Sequence, residues 1–133
     1  AIIVDLGTAT TFDIIDKNGD FLGGVIMPGL NLQFRALNNS TSKLPKIEAD
    51  TVDKAIGDNT CDAILSGVIR GSACAIEGLI RQCEDELGEK ATIIATGGYS
   101  TLIAKYMNRE FDFVNPYLTL EGLRFLYELN VNL

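Results

Sequence analysis

The sequence predicts one α/β domain built on a mixed sheet, and three observations carry that expectation. The first 28 residues hold three β-rich runs joined by tight-turn signals, the pattern of an antiparallel meander. The second half alternates short apolar runs with stretches of helical periodicity, as parallel strands joined by helical crossovers do. Of 133 residues, 47% are hydrophobic and 22% charged, which suits a packed core and excludes the composition of a disordered chain.

Ala1 to Val4 reads as the first strand, because Ile2, Ile3 and Val4 are β-branched and continuous; Asp5-Leu6-Gly7 interrupts the run. Thr10 to Asp16 is the second strand. Lys17-Asn18-Gly19-Asp20 is its hairpin, since Asn-Gly tolerates the positive φ of tight turns. Phe21 to Met27 is the third strand, with Gly23-Gly24 marking a bulge and Pro28-Gly29 its end. Leu30, Leu32, Phe34 and Leu37 predict a helix ending near Asn38 or Asn39. Residues 40 to 60 are polar and turn-rich, an irregular loop anchored by Leu44-Pro45 and Ile47, and loops of this length often carry function.

From Cys61 to Leu87 a long helix is expected, with Ile64, Val68, Ile76, Leu79, Ile80, Cys83 and Leu87 on its apolar side. Gly67, Gly71, Ala75 and Gly78 form a second stripe. Glycine inside a helix is about 1 kcal/mol less favourable than alanine, so the stripe predicts a face that another backbone approaches, in this chain or in a neighbour. Thr92 to Ala95 is the fourth strand, Thr96-Gly97-Gly98 its turn, Ser100 to Met107 a helix and Phe111 to Val114 the fifth strand. After the stop at Asn115-Pro116, Thr119 to Leu129 is the last helix, with Thr119 as N-cap and Glu121 in its first turn. The order βββαβαβα, with one more helix after the third strand, is the layout of the ribonuclease-H-like fold: a mixed sheet of about five strands with flanking helices. No internal repeat, linker or second domain is visible.

Eleven Lys and Arg against 18 Asp and Glu leave a net charge of −7, which argues against nucleic acid or an anionic membrane as partner. No apolar run approaches the roughly 18 residues of a membrane span, so a soluble chain is expected. Cys61, Cys74 and Cys83 cannot all pair and fit no metal-binding spacing. They are expected to be small core residues in a reducing, cytoplasmic setting. The absence of histidine excludes an imidazole base, a Ser-His triad and His-bound zinc within this chain. Chemistry must come from carboxylates, hydroxyls, backbone amides or a bound cation. The chain opens without Met on a strand sequence, as a piece of something longer would.

Asp5-Leu6-Gly7-Thr8-Ala9-Thr10-Thr11 places a carboxylate at a strand end, then a glycine turn, then hydroxyls. Gly7 lets backbone amides approach an anion, Thr8, Thr10 and Thr11 offer neutral donors, and Asp5 could hold a cation that offsets phosphate charge. A plain hairpin with β-favouring threonines fits the same residues. Asp13 lies near this turn, whereas Asp16 reads as a solvated hairpin residue. Thr96-Gly97-Gly98 is a second glycine turn at a strand's carboxyl end, where α/β sheets bind ligands; alone it reads as an ordinary strand-to-helix turn. Asn59 or Thr60 either caps the long helix or faces a substrate.

Asp5-x-Gly-Thr-Ala-Thr-Thr-Phe-Asp13, Gly23-Gly-x-Ile-x-Pro-Gly-Leu30, Leu44-Pro45, Gly57-x-Asn-Thr60, Ser66-Gly-x-x-x-Gly71, Thr96-Gly-Gly98 and Asn115-Pro-x-Leu-x-Leu-Glu-Gly-Leu123 occur in order across nearly the whole chain. Together they resemble the C-terminal half of a type III pantothenate kinase. That family belongs to the actin, hexokinase and Hsp70-like superfamily, in which two ribonuclease-H-like lobes close over ATP. The resemblance implies that residues 1–133 are the second lobe and that the first lobe lies elsewhere in the same polypeptide. It implies phosphorylation of pantothenate to 4'-phosphopantothenate, the first step toward coenzyme A, with ATP, Mg²⁺ and a monovalent cation (K⁺ or NH₄⁺), in a homodimer. Carried over by position, Asp5 would bind the monovalent cation, Thr8 would contact the ATP phosphates, Gly97 and Gly98 would lie along the nucleotide, and Thr60 would contact pantothenate; Gly7 and Thr10, read above as part of the same turn, are expected beside Thr8 in the ATP site.

The family's general-base Asp belongs to a Gly-x-Asp-Arg motif, and no Asp-Arg pair occurs here. No catalytic residue is therefore expected in this chain, which alone should lack kinase activity. Position 58 is Asp where the resemblance implies Lys, so either Asp58 points to solvent or ligand affinity differs. Two other readings stand beside this one. Asp-x-Gly-Thr also opens a lobe of bacterial actin-like filament proteins, which however lack the Gly-x-Asn-Thr and Asn-Pro-x-Leu-x-Leu-Glu-Gly-Leu segments. A kinase-like accessory or regulatory protein without catalysis would keep the same residues.

Overall fold

A computed structural model describes residues 1–40 and 47–131; the anchor expected at Leu44-Pro45 lies outside them. Ile2–Leu6 (β1), Ala9–Ile15 (β2) and Phe21–Pro28 (β3) form the antiparallel meander, with Asp5 paired to Thr11 and Leu6 to Thr10. β1 runs on through Asp5 to Leu6, because its pairing with β2 continues past the last β-branched residue. Gly19 takes φ 84° in the first hairpin, and the Asp16 carboxylate accepts the N–H groups of Asn18 and Asp20, so Asp16 serves the turn. The bulge falls where Ile14 pairs with Gly23 but Ile15 pairs with Phe21, and Gly23 has φ 135°.

Leu30–Ser40 (α1) follows, as expected. Residues 47–59 are irregular, with Val52 buried and Ile47 packed against the core. The long helical stretch is not uniform. Thr60–Leu65 (α2) passes into a π-helical turn, Ser66–Arg70, before Gly71–Leu87 (α3). α3 ends at Gly88, whose φ of 73° suits a left-handed cap. Ile93–Thr96 (β4) lies parallel to β1, and the two-residue Phe113–Val114 (β5) lies parallel to β4, giving the order β3-β2-β1-β4-β5. Ser100–Ala104 (α4) joins the last two strands, and Leu118–Val131 (α5) closes the described chain. The mixed five-strand α/β sheet with flanking helices is therefore as the sequence predicts, with the fifth strand and fourth helix shorter than expected.

Period-two alternation sends Ile2, Val4 and Leu6 of β1 and Thr10, Phe12 and Ile14 of β2 to one face of the sheet, where they are buried. Val68 and Ile69 of the π turn, with Ala73, Ile76 and Ile80 of α3, cover that face together with Leu30 and Phe34 of α1. By length and composition alone Thr60–Leu87 could cross a membrane. Its Ile69, Ala73, Ile76 and Ile80 are instead spent on the sheet, so it is a core helix of this domain.

Glu84 is buried near the end of α3, where Arg109 donates to both its carboxylate oxygens at 2.7 and 2.8 Å and the Ala91 N–H donates at 2.9 Å. This grip, with the Asp112 carboxylate accepting the Ile93 N–H at 2.7 Å, fixes the start of β4. The Arg109 guanidinium holds the Glu84 carboxyl down at about 2 against the opposing effect of burial.

Two expectations fail for local physical reasons, and a third is narrowed. Cys61 and Cys74 are exposed and only Cys83 is half-buried, because the first two fall on the solvent side of the helical stretch. Nothing lies within 4 Å of where a Cβ would stand on Gly67, Gly71 or Gly78, so among the described residues no backbone approaches the glycine stripe, and of the two expected covers only a neighbour is left. Thr119 sits inside α5 rather than at its cap: Asn115 Oδ1 accepts the Tyr117 N–H and Asn115 Nδ2 donates to Glu121, so Asn115 organises that end.

Candidate active site

The pairing of Asp5 with Thr96 sets the ends of β1 and β4 side by side, and three turns meet there. A Cβ on Gly97, which has φ 92°, would stand 2.6 Å from the Leu6 carbonyl carbon and oxygen and 2.7 Å from Asp5 Oδ1. A Cβ on Gly29 would stand 2.2 Å from the Thr8 carbonyl oxygen and 2.7 Å from that of Gly7. Both positions require glycine, because only a bare backbone allows the Gly97 turn and the Pro28-Gly29 turn to press on the Asp5–Thr8 segment. The Tyr99 N–H donates to the Leu6 carbonyl at 3.2 Å, and Ser100 Oγ to the Gly97 carbonyl at 2.8 Å, pinning the β4 turn in place.

Asp5 is half-buried on the face of β1 opposite the core, and its carboxylate takes no hydrogen bond from any described residue. A carboxylate removed from water without a partner is suited to a cation. No group of three or more Asp, Glu, Cys or His able to hold a metal exists among the described residues. A cation at Asp5 would complete its shell with carbonyls, ligand oxygens or water. Thr8 is exposed at the tip of the turn, Gly7 is half-buried beside it, and Gly98 is exposed next to Gly97. Thr10 departs from this group: its side chain is buried on the core face, with only the backbone of β2 near the turn.

Thr60 lies elsewhere. Asn59 is the residue that caps α2, its Oδ1 accepting the Asp62 N–H at 2.9 Å, which leaves the Thr60 hydroxyl outside the cap. Thr60 borders a largely apolar groove of about 670 Å³ between α1 and the α2–π segment, lined also by Gln33, Leu37, Ile64 and Gly67. Asp5, Gly7, Thr8, Gly97 and Gly98 are absent from that lining. Asp58 is exposed and forms an ion pair with Lys54 at 3.5 Å, so its charge faces solvent.

In the sequence alone, the Gly23–Gly29 segment reads as structural. Gly29 nonetheless underlies the Gly7-Thr8 turn, and the hairpin contains the signal: pairing Ala9 with Pro28 must bring the residue after Pro28 onto the turn before Ala9.

Residues 1–82 match the sequence profile described as type III pantothenate kinase. Over 129 residues the chain is 52% identical to the type III pantothenate kinase of Dehalococcoides mccartyi strain CBDB1, covering 97% of this chain and 49% of that protein. Against the enzyme of the same description from Moorella thermoacetica, identity is 45% over 130 residues, covering 98% and 51%. A crystal structure from Campylobacter jejuni, described as a conserved Baf family transcriptional activator, superposes with a TM-score of 0.68 at 25% identity, over all of this chain and 59% of that one. The chain spans about half the length of the curated relatives it matches. With a family profile covering most of its residues and that identity to curated members, the chain belongs to the type III pantothenate kinase family.

Proposed function

We propose that this chain is the second, ribonuclease-H-like lobe of an ATP-dependent pantothenate kinase of the actin-like superfamily. The observation that carries the reading is the meeting of three turns around an unpartnered Asp5 carboxylate, in a chain of this family. In the reaction, the terminal hydroxyl oxygen of pantothenate bonds to the γ-phosphorus of ATP. The bond from that phosphorus to the β–γ bridging oxygen breaks, and the hydroxyl proton passes to a base on the other half of the polypeptide. Catalysis of this kind is mainly positioning and charge neutralisation.

Asp5 holds K⁺ or NH₄⁺, the Gly7-Thr8 turn faces the phosphates, Gly97 and Gly98 lie along the nucleotide, and Thr60 contacts pantothenate in its groove. Thr10 serves through its backbone, since its side chain is in the core. Mg²⁺ is carried by the ATP phosphates and water. The active protein is a homodimer that works in the cytoplasm.

ADP release with ATP and pantothenate in K⁺ buffer, by the complete polypeptide containing this segment, tests the reading. Turnover that vanishes without pantothenate is expected. ATP binding without turnover would favour the accessory-protein reading, to which the activator description of the Campylobacter jejuni protein lends support.

A further inference from the structure

The irregular segment leading to Thr60 is tied to the π-helical turn and to the turn that follows α4 at one residue. Val52 is buried, its N–H donates to Tyr106 Oη at 2.7 Å, and its carbonyl accepts from Arg70 Nη2 at 3.0 Å. The Arg70 guanidinium lies 5.1 Å from the centroid of the Tyr106 ring, so the two side chains that hold Val52 also hold each other. At the start of the same π turn, four residues before Arg70, Ser66 Oγ donates to the Ala55 carbonyl. Gly57 then sits so close to α2 that a Cβ would stand 2.2 Å from the Ala63 nitrogen. The segment from Val52 to Asn59 is thus laid down along the α2–π surface, and it delivers Thr60 to the groove.

Arg70 is committed to this contact rather than to an ion pair. It pairs with no carboxylate among the described residues, and its Nε is buried without a hydrogen-bond partner. An apolar side chain at position 70 would avoid that unsatisfied donor, but it would leave the carbonyl of buried Val52 without the donor that Arg70 supplies. We propose that Arg70 and Tyr106 form a positioning clamp on Val52 that sets the placement of Thr60, and hence the fit of pantothenate, without touching either substrate. This inference rests on the reading of Thr60 given above.

The test uses the complete polypeptide as wild type, Arg70→Met, Arg70→Lys and Tyr106→Phe, with steady-state kinetics and amide hydrogen exchange over residues 52–60. Arg70→Met should raise the KM for pantothenate about tenfold and leave the KM for ATP within about twofold. Exchange in residues 52–60 should quicken while that of β1 and β4 stays constant. Arg70→Lys, which keeps one donor for the Val52 carbonyl, should recover part of the loss, and Tyr106→Phe should act in the same direction as Arg70→Met. Unchanged exchange at 52–60 overturns the clamp, as does a parallel rise in both KM values with a fall in Tm. If the wild type turns over no pantothenate, the proposed function fails by itself. The exchange comparison then still decides whether the clamp exists.

Discussion

Two carboxylates on this domain differ in what surrounds them. Glu84, 4% exposed, has Arg109, Lys90 and the Ala91 N–H around it, and its pKa is about 2 rather than the ordinary 4.5. Because the folded value lies below the unfolded one, its contribution to stability is complete above about pH 4.5 and is lost as the pH falls toward 2. Glu84→Gln should destabilise by about 2 kcal/mol at neutral pH, below the range for a fully buried pair because Arg109 is 34% exposed. It should also flatten that acid limb, which urea melts at pH 7 and pH 3.5 will read. Asp5 has no such company. In the complete polypeptide Asp5→Asn should weaken activation by K⁺ with little change in Tm, whereas Thr60→Val should mainly raise the KM for pantothenate. Unchanged kinetics in both variants would remove these assignments. Asp5 was legible in the sequence because a strand, a carboxylate and a glycine turn adjoin in the chain. Glu84 was not, since its partner stands 25 positions away and nothing local announces it.

Elements were legible where period and punctuation agree. The meander, its bulge at Gly23 and the long helical stretch all follow from adjacent residues. The π turn at Ser66–Arg70 does not, because Ile64, Val68 and Ile76 fit a helical period whether or not a turn is widened between them. The glycines separate into two kinds by the same logic. Gly97→Ala would combine φ 92° with contact against Leu6 and Asp5, and should cost at least about 2 kcal/mol and displace the candidate phosphate turn. Gly78→Ala meets nothing within 4 Å and sits inside α3, so thermal melts of the complete polypeptide should show a gain of about 1 kcal/mol. A loss there instead would mean that some other element of the whole protein approaches the stripe.

At the scale of the molecule, α5 is an apolar helix that nothing among the described residues covers. Leu120, Leu123, Phe125, Leu126, Tyr127, Leu129 and Val131 are each 55–68% exposed, and only Glu121, Arg124 and Glu128 trace a charged line along one side, the last two forming an ion pair. A helix apolar around so much of its circumference is built to be enclosed. The chain matches about half the length of its curated relatives, and under the two-lobe reading proposed above the first lobe is the partner within reach. Burying a leucine stabilises by roughly 1.5–3 kcal/mol, and Leu123→Asp with Leu126→Asp forfeits two. In the complete polypeptide that double variant should lower the Tm by several degrees while leaving the β1–β4 core protected in hydrogen exchange. An unchanged Tm would leave the helix in solvent. A fall in Tm accompanied by loss of a dimer in sedimentation would assign its cover to a second copy instead.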